Sequence, residues 1–123
     1  MEQPKPTILC VDDEENPLIL RKLVLEKAGY NVITANSAIQ ALALLACNEI
    51  DLVLSDQLMP GITGTQLARE VKGLQPTLPV VLISGVNEIP PDAQYADLFI
   101  SKVEGPVRLC QSLSEILRAS NPA

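Results

Sequence analysis

The sequence contains no histidine and no tryptophan, and aromatic residues make up only 2% of its 123 residues. Histidine is the side chain most often used as a general base and as a transition-metal ligand, so any chemistry here must rely on carboxylates, hydroxyls, amines or thiols. The chain also has no run of about 18 apolar residues, and no basic stretch followed by an apolar segment near its start. We therefore expect a cytoplasmic protein without membrane insertion.

Basic residues and cysteines are scarce as well. Nine Lys and Arg against fifteen Asp and Glu give a formal net charge of −6. Because a negative field repels phosphate backbones, direct nucleic-acid binding is not expected. The cysteines, Cys10, Cys47 and Cys110, are far apart and form no C-x-x-C pair, which is typical of unpaired thiols in a reducing compartment.

Apolar residues are plentiful, at 47% against 20% charged, which suffices for the core of one folded domain of this length. Five short apolar segments predict strands, and segments with helical spacing separate them. The predicted strands are residues 7–11, 31–34, 52–54, 80–83 and 98–100. This alternation predicts a doubly wound α/β fold, in which one parallel five-stranded sheet carries helices on both faces.

Capping residues indicate where the first two helices begin and end. For the first helix, residues 18–28, the predicted cap is Asn16, with Pro17 at the first helical position and Gly29 after the last turn. A capping box, Ser37-x-x-Gln40, opens the second helix, which extends to about residue 47.

The later helices are less uniform. A second capping box, Thr63-x-x-Gln66, opens the third helix. We expect Leu67, Val71 and Leu74 on its apolar face and Gly73 with Pro76 at its end. The pair Pro90-Pro91 occupies the place of a fourth helix, so that helix should be short or broken. A last helix is predicted over residues 106–119, with one apolar face formed by Leu109, Cys110, Leu113, Ile116 and Leu117.

Polar residues follow four of the five predicted strands at their carboxyl ends. They are Asp12, Asp13, Asp56, Ser84 and Lys102. Because the carboxyl ends of parallel strands share one edge of the sheet, we expect these side chains to converge there. Three carboxylates at close range repel one another unless a hard cation lies among them. The sequence therefore predicts a Mg²⁺ site at this edge.

These residues resemble the receiver domains of two-component response regulators. Residues 56–64 match the family's D-x-x-M-P-x-x-x-G pattern, and the other four polar residues occur in the family's order. The resemblance covers essentially the whole chain, so we expect one receiver domain over residues 1–123 with no output domain. It implies a strand order of 2-1-3-4-5.

The resemblance also implies a metal site and a donor. Asp56 would accept a phosphoryl group from a phosphohistidine on a sensor histidine kinase or a histidine phosphotransfer protein. Asp13 would bind Mg²⁺ directly and Asp12 would help to hold the ion, often through water. Asp56 and the backbone carbonyl of Leu58 would complete the protein's share of the ligands.

Other residues of the resemblance would bind the phosphoryl group and respond to it. Lys102 would pair with the phosphoryl oxygens and Ser84 would donate a hydrogen bond to one of them. Phe99 matches an aromatic residue that changes rotamer in the family, although its apolar neighbours favour a packing role. The protein would then act as a switch for an unknown downstream protein, with weak autophosphatase activity at most, and not as an enzyme.

Two departures from the family pattern are visible. Val103 stands where receivers usually carry a cis proline after the lysine, and we expect a trans Lys102–Val103 bond because a cis bond without proline costs about 2.5–4 kcal/mol. The interval between Ser84 and the lysine is also shorter than in typical receivers. Leu58 and Val86, which flank the path of the hydrolytic water in the family, are both apolar. We therefore expect slow self-dephosphorylation.

Two alternatives remain at this stage. One is a pseudo-receiver that binds partner proteins constitutively, which the departures from the pattern favour. The other is a flavodoxin-like electron carrier, but residues 12–15 are all acidic where such a protein needs a phosphate cradle. The carrier is therefore the weaker alternative.

Overall fold

The structure is a computed structural model that describes residues 5–85 and 92–120. Its elements, in chain order, are β1 (Thr7–Val11), α1 (Glu15–Lys27), β2 (Asn31–Ala35), α2 (Ala38–Cys47), β3 (Leu52–Asp56), α3 (Gly64–Leu74), β4 (Val80–Ser84), a 3₁₀ helix (Ala93–Tyr95), β5 (Leu98–Ser101) and α4 (Pro106–Ser120). The strands form one parallel sheet in the order β2-β1-β3-β4-β5. The predicted fold class and strand order are confirmed.

The sheet separates two apolar cores. One lies between the sheet and the helices α2 and α3, with Leu9, Val53 and Leu67 among its buried residues. The other lies between the sheet and the helices α1 and α4, and includes Leu25 and Leu113. Residues of β1, β3 and β4 contribute to both cores, which explains their nearly continuous apolar sequence.

The start of α1 differs from the prediction. Asn16 does not cap the helix, because α1 begins at Glu15 with Glu14 as its N-cap residue and without a side-chain cap. Pro17 consequently lies inside the first turn, where a missing backbone donor is tolerated. The predicted end is confirmed, since Gly29 follows the helix with a φ of 103°.

Both capping boxes mark real helix starts. Ser37 accepts a hydrogen bond from the backbone N–H of Gln40, whereas the Gln40 side chain accepts from Asn36 and not from Ser37. Thr63 and Gln66 form the full reciprocal arrangement at the start of α3. Local side-chain chemistry therefore determines where these two helices begin.

The end of α3 and its apolar face were predicted only in part. Leu67 and Val71 are buried as expected, but Leu74 is 64% exposed. Gly73 lies within the helix, which continues to Leu74. In α4 the predicted face is confirmed, because Leu109, Leu113 and Leu117 are buried and Cys110 and Ile116 are partly buried against the same core.

Between β4 and β5 the described residues contain a 3₁₀ helix at Ala93–Tyr95 and no α-helix. This agrees with the short or broken fourth helix, although the pair Pro90-Pro91 itself lies outside the described residues. Asp97 connects this segment to α3 and β4. Its Oδ2 accepts a hydrogen bond from Lys72 Nζ on α3 at 2.7 Å and another from the backbone N–H of Val80 at 2.7 Å.

The peptide bond between Lys102 and Val103, which follows β5, is trans, as predicted. Within the described ranges, no helix is both long enough and apolar enough to cross a membrane.

Candidate functional site

The site is centred on Asp56, the last residue of β3. This strand lies in the middle of the sheet and all five of its residues are buried. The Asp56 side chain is 4% exposed. The backbone N–H of Gln57 donates to the carbonyl of Ile83 at 2.9 Å, which ties the end of β3 to β4. Asp56 therefore stands on a rigid part of the sheet.

Three carboxylates meet at this edge. Asp12, Asp13 and Asp56 each offer an oxygen, and these oxygens lie within 4.8 Å of one another. Pairing of β1 with β3 brings them together, because Val11 is in register with Ser55. Asp12 and Asp56 are buried, whereas Asp13 is exposed. The predicted convergence of the carboxylates is thus present in the structure.

Lys102 also contacts Asp56. Its Nζ is 3.4 Å from Oδ1 and 3.4 Å from Oδ2 of that carboxylate. The lysine is positioned through its backbone, because its N–H donates to the carbonyl of Ser84 at 3.0 Å. Ser84 is buried and pairs with Ser101 at the ends of β4 and β5. The strand ends therefore bring the predicted hydroxyl and amine to the same edge as the acidic cluster.

The electrostatic balance around Asp56 is unfavourable for its negative charge. Burial raises the pKa of the Asp56 carboxyl above its ordinary value, and the negative charge of Asp12 raises this pKa further. The positive charges of Lys102 and Arg21 lower it and offset part of the effect. Within the described residues Asp56 Oδ1 accepts no hydrogen bond. The Lys102 amine, 3.4 Å from this oxygen, is therefore its cationic partner among the groups described above, and room for a further cation or donor remains.

The loop after Asp56 is fixed by backbone and amide contacts. The side chain of Gln57 is buried, and its Oε1 accepts from the backbone N–H of Thr65 at 2.9 Å. Gly64 donates its backbone N–H to the carbonyl of Gln57 at 3.0 Å. Leu58 projects from this loop with 60% of its surface exposed. The amide of Gln57 is thus engaged in holding α3 to the end of β3.

Arg21 belongs to the site and was missed by the sequence analysis. It lies on α1, and its Nη1 donates to Asp12 Oδ2 at 3.0 Å. Leu18 and Leu25, three residues before and four after it, are buried. This spacing places Arg21 on the buried face of the helix, so a charged residue within an apolar helical stripe was the available signal.

Phe99 and Val86 were also singled out from the sequence, and the structure describes only the first of them. Phe99 is partly buried and packs against the core on the α2 and α3 side of the sheet, which supports its packing role. Val86 lies outside the described residues.

The donor set fits a magnesium ion. All three side chains of the cluster offer carboxylate oxygens, the ligand type that Mg²⁺ prefers. Exposed Asp13 connects the cluster to solvent, and Oδ1 of Asp56 has no hydrogen-bond donor among the described residues. A hard cation at this position would compensate the charges that burial penalises.

The fold and the site together define a class: a doubly wound parallel sheet with an acidic cluster, a hydroxyl and a lysine at its carboxyl edge. A profile of the response regulator receiver domain matches residues 8–114. The chain belongs to this family.

Individual relatives agree with this assignment. The transcriptional regulatory protein GlrR of Escherichia coli is 36% identical over 121 residues, which cover 94% of this chain and 27% of GlrR. The sensor kinase CckA of Brucella abortus is 30% identical over 119 residues, covering 90% of this chain and 12% of CckA. This chain therefore spans only a part of the length of these relatives.

A solved structure shows the same fold with a ligand. The response regulator TrrA of Thermotoga maritima, in complex with Mg²⁺ and BeF, superposes with a TM-score of 0.85 at 28% identity. The match covers 90% of this chain and 98% of the TrrA chain.

Proposed function

We propose that this receiver domain is a phosphoacceptor switch in which Asp56 takes a phosphoryl group in a Mg²⁺-dependent reaction. The single observation that carries the proposal is the arrangement at Asp56. A buried carboxylate lies among two further carboxylates within 4.8 Å and a lysine amine at 3.4 Å. The complex of TrrA with Mg²⁺ and BeF supports the same chemistry in a relative.

The proposed reaction is an in-line displacement at phosphorus. An oxygen of Asp56 forms a bond to the phosphorus of a phosphohistidine, and the phosphorus–nitrogen bond breaks with its electron pair going to the imidazole. Phosphoryl transfer depends on positioning and on neutralising the charge that develops on the phosphoryl oxygens. The oxygen Oδ1 accepts no hydrogen bond from the described residues and lies 3.4 Å from Lys102 Nζ.

Each surrounding residue has a proposed task. Asp13 would hold Mg²⁺ directly, Asp12 would help to hold it through water, and Asp56 with the carbonyl of Leu58 would supply the remaining protein ligands. When bound, the ion would neutralise negative charge on the phosphoryl oxygens.

Lys102 and Ser84 would act on the opposite side of the phosphoryl group. The amine of Lys102 lies close enough to Asp56 to pair with oxygens attached to that carboxylate. Ser84 is held beside the lysine by a backbone hydrogen bond at 3.0 Å, and its hydroxyl would donate to another phosphoryl oxygen. The two residues would thereby detect whether Asp56 is phosphorylated.

The proposed partners follow from this chemistry. The donor would be a sensor histidine kinase or a histidine phosphotransfer protein, and the relatives of this chain include a sensor kinase as well as a regulatory protein. The output would be a contact with a further protein. The three cysteines are unpaired, which supports work in a reducing compartment such as the cytoplasm.

The test is incubation with acetyl phosphate and Mg²⁺, followed by intact-mass measurement. We expect one added phosphoryl group on the wild type and none on Asp56→Asn. Glu70→Gln, which removes an exposed carboxylate on α3, serves as the matched control and should react like the wild type. Asp13→Ala should lose most of the Mg²⁺ dependence because a direct ligand is gone.

An unchanged mass of the wild type would contradict the proposal. That result would favour the alternative of a constitutive protein-interaction module.

A further inference from the structure

The charged side chain of Arg21 lies in a mostly buried position beside the acidic cluster. Its side chain is 14% exposed, and the carboxylate that it contacts, that of Asp12, is 2% exposed. The distance between Nη1 of Arg21 and Oδ2 of Asp12 is 3.0 Å. The guanidinium cannot lose its proton in a protein, so this positive charge is permanent.

The two oxygens of Asp12 are both engaged. Oδ1 accepts from the backbone N–H of Glu14 at 2.9 Å, and Oδ2 accepts from Arg21. Asp56 differs, because its partner Lys102 is farther away, at 3.4 Å, and is 42% exposed, and because its Oδ1 accepts no hydrogen bond within the described residues. Asp13 is exposed. The carboxylates of the cluster are thus unequal: Asp12 has a short and mostly buried ion pair with an arginine, Asp56 has a longer contact with a more exposed lysine, and Asp13 is exposed.

We propose that Arg21 is a resident cation of the acidic cluster, which neutralises Asp12 in the metal-free protein and thereby lowers the affinity of the cluster for Mg²⁺. The inference rests on the proposed function in so far as Mg²⁺ is the ion concerned. Arg21 lies on α1, outside the strand ends that carry the site.

Arg21 affects the metal-free and the metal-bound states of the cluster differently. Without a metal, three carboxylates within 4.8 Å repel one another, and Arg21 relieves this repulsion at the most buried of them. With a divalent ion bound, the guanidinium repels that ion across the same carboxylate. Arg21 therefore stabilises the metal-free state more than the metal-bound state, and the difference appears as weaker Mg²⁺ binding.

Two other roles of Arg21 would change the Mg²⁺ affinity differently. If Arg21 only holds Asp12 in the orientation that the metal requires, its removal would loosen Asp12 and weaken Mg²⁺ binding. If Arg21 only fills space in the core, its replacement by an apolar residue of similar length would leave Mg²⁺ binding unchanged. The sign of the change in affinity therefore separates the three accounts.

The test is calorimetric titration of the folded protein with Mg²⁺ in the absence of any phosphodonor. We expect Arg21→Met to bind Mg²⁺ more tightly than the wild type, on the order of tenfold, because one unit charge near the ion is lost. Arg21→Lys keeps the charge and should bind close to the wild-type affinity. Lys27→Met is the matched control: it removes one positive charge from the exposed last turn of α1 and should have little effect.

A second measurement covers the case in which the Met variant is destabilised. The thermal midpoint of each variant is recorded by circular dichroism with and without Mg²⁺, and Arg21→Gln repeats the comparison with a polar neutral side chain. We expect Mg²⁺ to raise the midpoint of both neutral variants by more than it raises that of the wild type.

The proposal is overturned if neutral variants bind Mg²⁺ with unchanged or lower affinity, or if Arg21→Lys behaves like Arg21→Met. These results are separate from the test of the proposed function, which is the mass of Asp56 after reaction with acetyl phosphate. A wild type that is phosphorylated normally while Arg21 has no effect on Mg²⁺ affinity would refute the role of Arg21 and leave the phosphoacceptor function standing.

Discussion

Replacement of Gly64 by alanine should disturb Asp56, the proposed phosphoacceptor, at the other end of the loop between β3 and α3. Gly64 is the first residue of α3, and a Cβ atom added to it would lie 2.7 Å from the backbone oxygen of Asp56 and 2.9 Å from Cα of Gln57. Both atoms belong to the backbone, so no side-chain rotation can relieve the overlap. The start of α3 and the end of β3 must therefore move apart.

The size of the effect is the difference between two opposing contributions. Overpacking of this kind costs about 1–3 kcal/mol of the free energy of unfolding. Alanine also reduces the conformational entropy of the unfolded chain, which raises the free energy of unfolding by about 0.4–1 kcal/mol. We expect a net loss of up to about 2.5 kcal/mol, centred on about 1 kcal/mol. The displacement also strains the hydrogen bond of 3.0 Å between the N–H of Gly64 and the carbonyl of Gln57.

Gly73 provides a matched control within the same helix. A Cβ atom added there meets no atom within 4 Å, and Gly73 lies inside α3. Alanine at this position should raise stability by about 0.5–1 kcal/mol, because glycine is a poor helix former. The two substitutions are chemically identical, so their difference in sign reports the surroundings of Gly64.

The assay is urea unfolding followed by far-ultraviolet circular dichroism, since the chain has no tryptophan. With a slope of about 1–3 kcal/mol per molar urea, the expected changes shift the midpoint measurably and in opposite directions. Phosphorylation by acetyl phosphate should fall in Gly64→Ala and stay normal in Gly73→Ala. Equal midpoints for the two variants, or a Gly64→Ala protein more stable than the wild type, would refute the reasoning.

Three further predictions concern the lifetime of the phosphoryl group, the core and the thiols. The phosphorylated wild type should decay slowly with Mg²⁺ present, and Leu58→Asn should accelerate decay by up to about 10²-fold by orienting the attacking water; fast wild-type decay or no acceleration contradicts this. Leu113→Ala, at a fully buried position of α4, should cost about 2–5 kcal/mol in chemical unfolding, whereas Ile39→Ala, at a side chain that is 73% exposed, should stay within about 0.5 kcal/mol. Exposed Cys47 should react with a thiol reagent in the native protein, whereas Cys10 should react only on unfolding, because burial raises its pKa to about 11; labelling followed by peptide mass analysis checks this.

The sequence by itself determined the architecture and the central part of the site. Short apolar runs separated by amphipathic segments suffice to predict a parallel sheet, since both faces of such a sheet are covered. Once the sheet is parallel, the carboxyl ends of its strands share an edge. Asp12, Asp13, Asp56 and Lys102 therefore had to approach one another, and the structure shows that they do.

Local signals succeeded where the decisive contacts are close in the chain. The capping residues of α2 and α3 act within three or four positions, so Ser37 and Thr63 could be recognised as helix starts. The same kind of reasoning failed at Asn16, because α1 begins one residue earlier, at Glu15, without a side-chain cap. A helix that is stabilised by packing need not begin where its best capping residue stands.

Only the tertiary structure decided which residues surround the acidic cluster. Arg21 is nine positions from Asp12, and the sequence shows it only as a charged residue on an apolar helical stripe. Gly64 is eight positions from Asp56, yet their backbones leave no room for a Cβ atom. Asp97 and Lys72 are 25 positions apart and meet beside the segment between β4 and β5, whose described residues contain no α-helix. Such contacts depend on how helices dock on the sheet, and docking is set by the packing of many side chains at once and not by any short stretch of sequence.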